Sequence, residues 1–424
     1  MKVLIVNTSE CTGGAAVAAD RLCDALNNNG VKARMLVRDK QTDNITVASC
    51  GNKLQNKWNF LWERFVIWLH LHLKRTHLFE IDIANCGIDI TKTREFKEAD
   101  VIHLHWVNQG LLSLRGIRKI LQSGKPVVWT MHDMWPATGI CHLTLGCRRF
   151  TTSCRNCPLL PGNGSNNDLS TRVWQKKMRL LQGEVINFVT CSRWLEGEAR
   201  RSALLKEQTV ISIPNPIDTR VYCPGNRKEA RLAEGLPAEG HLILFICQRV
   251  SNPNKGMPFL IDACRQLVSE HPEMTENTTL VVLGSHAEDV AEAIPFRIVA
   301  PGYVTDEHRL VNLYRAADLF VLPSLSENLP NTIMEAMACG VPCVGFRIGG
   351  IPEEIDHKKN GYVATYRDAT DLAQGIYWIL YEADGELLAA EAIRKVAQNF
   401  SQTSVAVRYT ELYQQAIAQK HLKL

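Results

Sequence analysis

The sequence predicts an α/β protein built from two doubly wound parallel-sheet domains, and three observations carry that prediction. Short β-rich apolar runs alternate with helical patterns along nearly the whole chain, the mark of parallel strands joined by crossover helices. The 424 residues amount to nearly three typical domains of about 150, room for two full domains and an appendage. The alternation breaks at Ile213-Pro214-Asn215-Pro216-Ile217-Asp218, where two prolines one residue apart forbid a helix and force an extended turn.

In chain order, strands are expected at 3–6, 33–37, 101–105, 126–131, 186–191 and 209–213, then at 242–247, 279–283, 318–322 and 342–345. A helix follows the first strand and runs to about Asn29. The first domain spans 1–213 and the second 214–400, with the stretch 224–241 polar and helix-poor. A final helix, about 402–419, carries Val405, Tyr409, Leu412, Tyr413 and Ala416 at helical spacing and is expected to dock toward the first domain.

Composition narrows the class. Hydrophobic residues at 46% and charged residues at 22% exclude disordered, collagen-like and low-complexity chains. Forty-eight Lys and Arg against forty-four Asp and Glu leave a net charge of +4, too small on this length to argue for a nucleic-acid partner. The start, Met1 to Asn7, holds an apolar run of four residues, shorter than a signal-peptide core, so a cytoplasmic protein is expected. Most of the fourteen cysteines stand singly in apolar runs, as Cys247 does, and read as reduced core thiols.

Four places carry residues suited to chemistry. In the turn Asn7 to Ala16, Gly13 and Gly14 lead into a helix whose start favours an anion; a plain strand-to-helix turn is the alternative. Arg249 and Lys255 follow strand 242–247 at its carboxyl end, where open α/β sheets bind ligands and where two cations suit a pyrophosphate. Between Asp318 and Gly340, a strand, a loop bearing Glu327 and a helix bearing Glu335 surround one point. Amides near Asn331 and Thr332 suit phosphate oxygens, Glu335 the hydroxyls of a ribose, and Glu327 sugar hydroxyls or a developing cation. The fourth is Cys141-x5-Cys147-x6-Cys154-x2-Cys157, soft ligands for a closed tetrahedral zinc in a reducing compartment; two disulfides or free thiols are the alternatives.

The Glu327-x7-Glu335 element, the Arg249 and Lys255 pair, the Gly13-Gly14 turn and the hinge Pro214 to Asp218 together resemble the retaining GT-B glycosyltransferases of family 4, over almost the entire chain. Through Ala99 to Trp106 and Thr130 to Pro136 the chain looks most like the bacterial colanic-acid and capsular exopolysaccharide enzymes. The resemblance implies two Rossmann-like domains facing across a cleft, the first binding the acceptor and the second a UDP- or GDP-sugar donor. It implies transfer of a sugar to a hydroxyl of a saccharide acceptor, lipid-linked in such pathways, with retention and without a catalytic metal. Position by position, Arg249 and Lys255 match the residues that neutralise the donor diphosphate, Glu335 the ribose ligand, and Glu327 and His132 the residues nearest the donor sugar. The cysteine cluster matches a structural zinc knuckle beside the acceptor cleft. Asn328-Leu329-Pro330-Asn331 replaces the family's usual glycine-rich stretch, and His103 and His105 read as either lining or packing residues. The rivals are another nucleotide-sugar enzyme of the same fold, such as an epimerase or a soluble glycoside synthase, and a non-catalytic nucleotide-sugar scaffold. The intact charged set at 249, 255, 327 and 335 argues against the scaffold.

One segment bears on membranes. From Lys57 to Arg75, Trp58, Leu61, Trp62, Phe65, Trp68, Leu69 and His72 fall on one helical face, with Lys57, Arg64, Lys74 and Arg75 adding positive charge. Asn59, Glu63 and Arg64 interrupt it, so it does not span a bilayer. It reads equally as a helix packed on the first sheet or as one lying on an anionic inner leaflet.

Overall fold

The computed structural model describes residues 1–421 and divides into two compact units, Met1–Pro216 with the terminal stretch from Val405, and Ile217–Ser404. The first unit holds seven strands: β1 (Lys2–Ser9), β2 (Lys32–Asp39), β3 (Val47–Ser49), β4 (Val101–Leu104), β5 (Val127–Met131), β6 (Asn187–Thr190) and β7 (Thr209–Ser212). They form one parallel sheet in the order β3-β2-β1-β4-β5-β6-β7. Strand alternation builds a core on each face: Leu4 and Val6 pack with Leu36 and Ile102, whereas Val3 and Ile5 pack with Met35 and Val128. The helix Gln402–His421 closes the second face by burying Tyr409, Leu412 and Tyr413 there.

The second unit repeats the scheme with β8 (His241–Arg249), β9 (Thr278–Ser285), β10 (Arg297–Gly302), β11 (Leu319–Leu322), β12 (Cys343–Phe346) and β13 (Gly361–Ala364), in the parallel order β10-β9-β8-β11-β12-β13. In both sheets the order in which successive strands are added thus reverses once, between β1 and β4 and between β8 and β11. These switch points open a crevice at the carboxyl ends of the strands, where α/β sheets take their ligands.

Two differences from the sequence expectation have physical causes. The strands missed were β3, β10 and β13, and all three are sheet edges. At the edge β10 needs no apolar run, since Arg297–Gly302 is exposed or half-buried throughout; β13 is buried but only four residues long, and it begins at Gly361, where a Cβ would lie 2.3 Å from the Cys343 carbonyl oxygen. The stretch 224–241, read as helix-poor, contains the helix Arg227–Ala233. Asn226 caps it by accepting from the amides of Lys228 and Glu229, and its anchor is the buried Arg231, which pairs with Asp318 at 2.6 Å and donates to the carbonyls of Ala316, Ala238 and Gly240. Such a helix is held by a charge and carries little apolar periodicity to read. Among the described residues, no helix is long and apolar enough to cross a membrane.

Candidate functional site

In the second unit the chemistry gathers at the β8/β11 switch point. Strand β8 ends at Arg249, and the chain then makes a short 3-10 turn, Pro253–Lys255, before the helix Met257–Glu270. Gly256 joins turn to helix at φ +71°, and a Cβ there would come within 1.8 Å of the Pro323 carbonyl oxygen. Only glycine lets these two loops touch. Leu325 N–H donates to the Asn254 carbonyl at 2.8 Å, and on the far side Gly349, at φ +57°, leaves no space for a side chain over the Glu327 carbonyl. The loop 323–328 is therefore wedged between two glycines. Its carboxylate, Glu327 Oε1, lies 2.5 Å from Lys255 Nζ, an ion pair bridging the loops that follow β8 and β11. Burial opposes the charge on Lys255, but Glu327 beside it holds the ammonium above its usual pKa.

Behind this pair stands Glu335, buried on the helix Asn331–Ala338, its Oε2 accepting from Tyr314 Oη at 2.7 Å. Pro330 begins that helix and no side chain caps it, so amides of its first turn, at the half-buried Asn331 and Thr332, face the same edge of the sheet. Arg249 is exposed and makes no side-chain hydrogen bond or ion pair among the described residues. The structure thus brings Lys255 and Glu327 into contact and leaves Arg249 free at the strand end.

Two residues here carry no sequence signal. Tyr314 reads as core until its partner is known. Glu354 is fully buried, and both its carboxylate oxygens lack a hydrogen-bond partner among the described residues. Burial, reinforced by the negative charge of Glu327, pushes its pKa well above the usual carboxylate value. An acid that ionises more easily unfolded than folded costs stability as pH rises above about 4.5, the unfolded value. We expect Glu354→Leu to stabilise the chain at neutral pH by about 1–3 kcal/mol and to flatten the fall in melting temperature above that pH; a variant that melts lower at every pH would contradict this.

In the first unit, Gly13 stands at φ +91° ahead of the helix Gly14–Asn28, and a Cβ on it would meet nothing within 4 Å. Its glycine answers to the backbone angle, not to a close approach. Across the switch point, Thr8 donates to the Trp106 carbonyl and Trp106 N–H to the Asn7 side chain. Three histidines cluster at the carboxyl ends of β4 and β5. His103 is a packing residue: Nδ1 meets Tyr413 Oη and Nε2 meets Thr130 Oγ1, both at 2.7 Å, tying two strands to the last helix. His105 Nδ1 and His132 Nε2 share a hydrogen bond of 2.9 Å, and His132 Nδ1 lies 3.4 Å from Cys191 Sγ. Burial lowers the pKa of all three, to about 3 for His103, about 4 for His132 and well below the usual value for His105. His132 is therefore a neutral imidazole at physiological pH, with its single N–H engaged by His105 or Cys191.

Sequence reasoning missed the polar chain beside it. Asp133 accepts from Trp106 Nε1 at 2.8 Å and from His142 Nδ1 at 2.6 Å; His142 Nε2 meets Asp82 Oδ2 at 2.5 Å, and Asp82 Oδ1 pairs with Arg64. Burial opposes the charge on His142, but the carboxylates on either side hold its pKa up to about 10. Arg64 also donates to the carbonyls of Leu78 and Ile81, and Glu63 accepts from the amides of Ile83 and Ala84. The one available signal was the Glu63-Arg64 pair inside an apolar run.

Cys141, Cys147, Cys154 and Cys157 are unpaired thiols lining one small cavity, and Gly139 N–H donates to Cys154 Sγ at 3.2 Å. The donor set fits zinc, but the spacing as it stands does not. Zinc–sulfur bonds of about 2.3 Å need sulfurs within roughly 4 Å of one another, and no three of these sulfurs lie within 4.8 Å among the described residues.

Comparison with known proteins agrees with the two-unit reading. Residues 12–221 match the family model described as Glycosyltransferase Family 4, and residues 240–382 match the one described as Glycosyl transferases group 1. The chain therefore belongs to the group 1 and family 4 glycosyltransferases of the GT-B fold. Among curated relatives, D-inositol 3-phosphate glycosyltransferase 2 of Catenulispora acidiphila is 28% identical over 49% of this chain and 51% of its own length. The chain spans about half the length of the curated relatives that it matches first. Among solved structures, sucrose-phosphate synthase from Thermosynechococcus elongatus superposes with a TM-score of 0.67 at 17% identity, covering 99% of this chain and 100% of the other. HepE of Anabaena, in complex with UDP and glucose, gives 0.64 at 17%, covering 98% and 100%.

Proposed function

We propose that the chain moves a sugar from a nucleotide-diphosphate sugar to a hydroxyl of a saccharide acceptor, with retention of configuration, in the assembly of a cell-surface polysaccharide. The observation that carries this reading is the Lys255–Glu327 pair across the β8/β11 switch point, with buried Glu335 and an uncapped helix start beside it. In this reading the diphosphate lies over the amides at Asn331 and Thr332, Lys255 and Arg249 neutralise it, and Glu335 accepts from the ribose hydroxyls. As the bond from sugar to β-phosphate breaks, negative charge grows on the leaving oxygen. Fixed cations and amides stabilise that charge more in the transition state than before it. They take the place a divalent ion has in other transferases, so the reading requires no catalytic metal. Glu327 serves the donor sugar as the carboxylate opposite the developing positive charge, whereas His132, expected from the sequence to do so too, has both ring nitrogens bonded within the first unit. In the first unit, which binds the acceptor in this reading, the Gly13-Gly14 turn offers amides at a helix start.

UDP-glucose is the first donor to try, since the HepE complexes hold UDP and UDP-glucose. A thermal-shift screen of UDP, GDP and ADP with their common sugars tests the reading, because a ligand bound only by the folded state raises the melting temperature with log concentration. One base is expected to stand out; no shift with any nucleotide would sink the donor assignment. The structural zinc at Cys141, Cys147, Cys154 and Cys157 rests on its donor set alone. Since the sulfurs stand wider apart than a zinc shell requires, elemental analysis decides the point: equimolar zinc would establish the site, and metal-free protein with an unchanged melting temperature would remove it.

A further inference from the structure

The helix Lys53–His70 is turned inside out relative to a core helix. Asn56, Asn59, Glu63, Arg64 and Ile67 face inward, held by the polar chain described above, whereas Leu54, Trp58, Leu61, Trp62, Phe65 and Leu69 stand 43–80% exposed. These six fall within one stripe of the helix, and Trp58, Trp62 and Phe65 stack along it with ring centroids 6.3 and 6.0 Å apart. Of the two readings of this face, packing against the first unit is thus overturned: the inward side is taken by Asn59, Glu63 and Arg64, bonded to the segment 78–86. An apolar stripe of this kind on a surface marks an interaction site.

Charge names the occupant. Lys53 and Lys57 on the helix, and Lys74 and Arg75 just after it, are exposed, while the helix's single acid, Glu63, is buried. Arg38, Lys40, Lys53 and Lys57, with Asp39 and Phe60, line a cavity of about 410 Å³ beside the stripe, at the carboxyl ends of β2 and β3. Neither Lys53 nor Lys57 has a side-chain partner among the described residues. Indole and phenyl rings next to unpaired lysines match the headgroup region of a bilayer, where aromatic rings settle at the boundary and cations meet phosphates. We propose that this face docks on an anionic lipid bilayer: the stripe enters the headgroup boundary, and the Arg38–Lys40–Lys53–Lys57 cavity receives a lipid phosphate. The bilayer then lies at the carboxyl edge of the first sheet, the edge that carries His132, as an enzyme drawing its acceptor from a membrane requires. That last link alone rests on the proposed function; the docking does not.

Flotation of the full chain with vesicles tests it. The chain is expected to float with phosphatidylcholine vesicles containing roughly one-third phosphatidylglycerol at low salt, and to be released by salt. Lys53→Glu with Lys57→Glu is expected to weaken binding at least roughly fivefold per lysine, from about 1 kcal/mol for each cation near the surface. Trp62→Glu with Phe65→Glu is expected to abolish binding with an unchanged melting temperature, since both side chains are exposed. Absence of flotation at low salt would overturn the proposal, as would binding unaffected by the aromatic substitutions, or self-association through this face without vesicle binding. The vesicles carry no nucleotide sugar, so failure here leaves the donor site untouched.

Discussion

Lys255→Ala is expected to lower turnover by about 10²–10³-fold, the range for losing one group aimed at charge that develops in the transition state. The loss should fall on kcat and on kcat/KM alike, because the contact strengthens as the diphosphate leaves. The fold should survive, since the loops are fixed by Gly256 and Gly349 and by backbone hydrogen bonds, not by the ion pair. Lys255→Ala also leaves Glu327 without its cation, so diphosphate binding is read beside the rate. If Lys255 acts on the diphosphate, affinity for the free diphosphate falls together with turnover; if its role is only to hold Glu327, turnover falls and diphosphate affinity does not. Steady-state kinetics with the donor found by the nucleotide screen give the answer, and undiminished turnover in Lys255→Ala would contradict the assigned role.

The largest expected effect on stability lies in the other unit. Arg64→Ala should destabilise the first unit by about 3–5 kcal/mol, the usual cost of removing one partner of a buried ion pair. Asp82 Oδ1 and the carbonyls of Leu78 and Ile81 would be left without their donor, beside a fully buried Glu63. Denaturant melts should show the transition of the first unit moving to less denaturant, with donor affinity in the second unit preserved. The same variant should weaken vesicle binding, because this network holds the polar side of the 53–70 helix against the unit and leaves the aromatic side outward. A melt within about 0.5 kcal/mol of the wild type, the range for ordinary surface changes, would refute a structural role for the network.

Interior strands were legible because a strand covered on both faces must be apolar throughout, as Leu242 to Phe245 and Leu280 to Leu283 are. Of the edge strands β7 was legible, whereas β3, β10 and β13, short or poor in apolar residues, were not. At the site, Lys255, Glu327 and Glu335 were readable as chemistry-bearing residues at strand ends, but the contact between the first two was not. It arises from glycines that remove side chains where two backbones meet, and a lone glycine in a loop says nothing about which loop it meets. Glu354 was invisible because a glutamate after Gly349-Gly350 reads as solvated. The 53–70 helix shows the limit of periodicity from the other direction. Its wheel separates an aromatic face from a polar one, but which face turns inward was decided by Asp82 and His142, distant residues that give Arg64 and its neighbours a buried partner.

In the proposed donor site the crevice after β8 and β11 binds a nucleoside diphosphate through Lys255. Calorimetric titration of the wild-type chain and of Lys255→Ala with the diphosphate of the base found by the screen measures this contact. Saturable binding of one equivalent to the wild type is expected, weakened at least tenfold, about 1.4 kcal/mol, in the variant. Equal affinity for both proteins, or binding to neither, would contradict it.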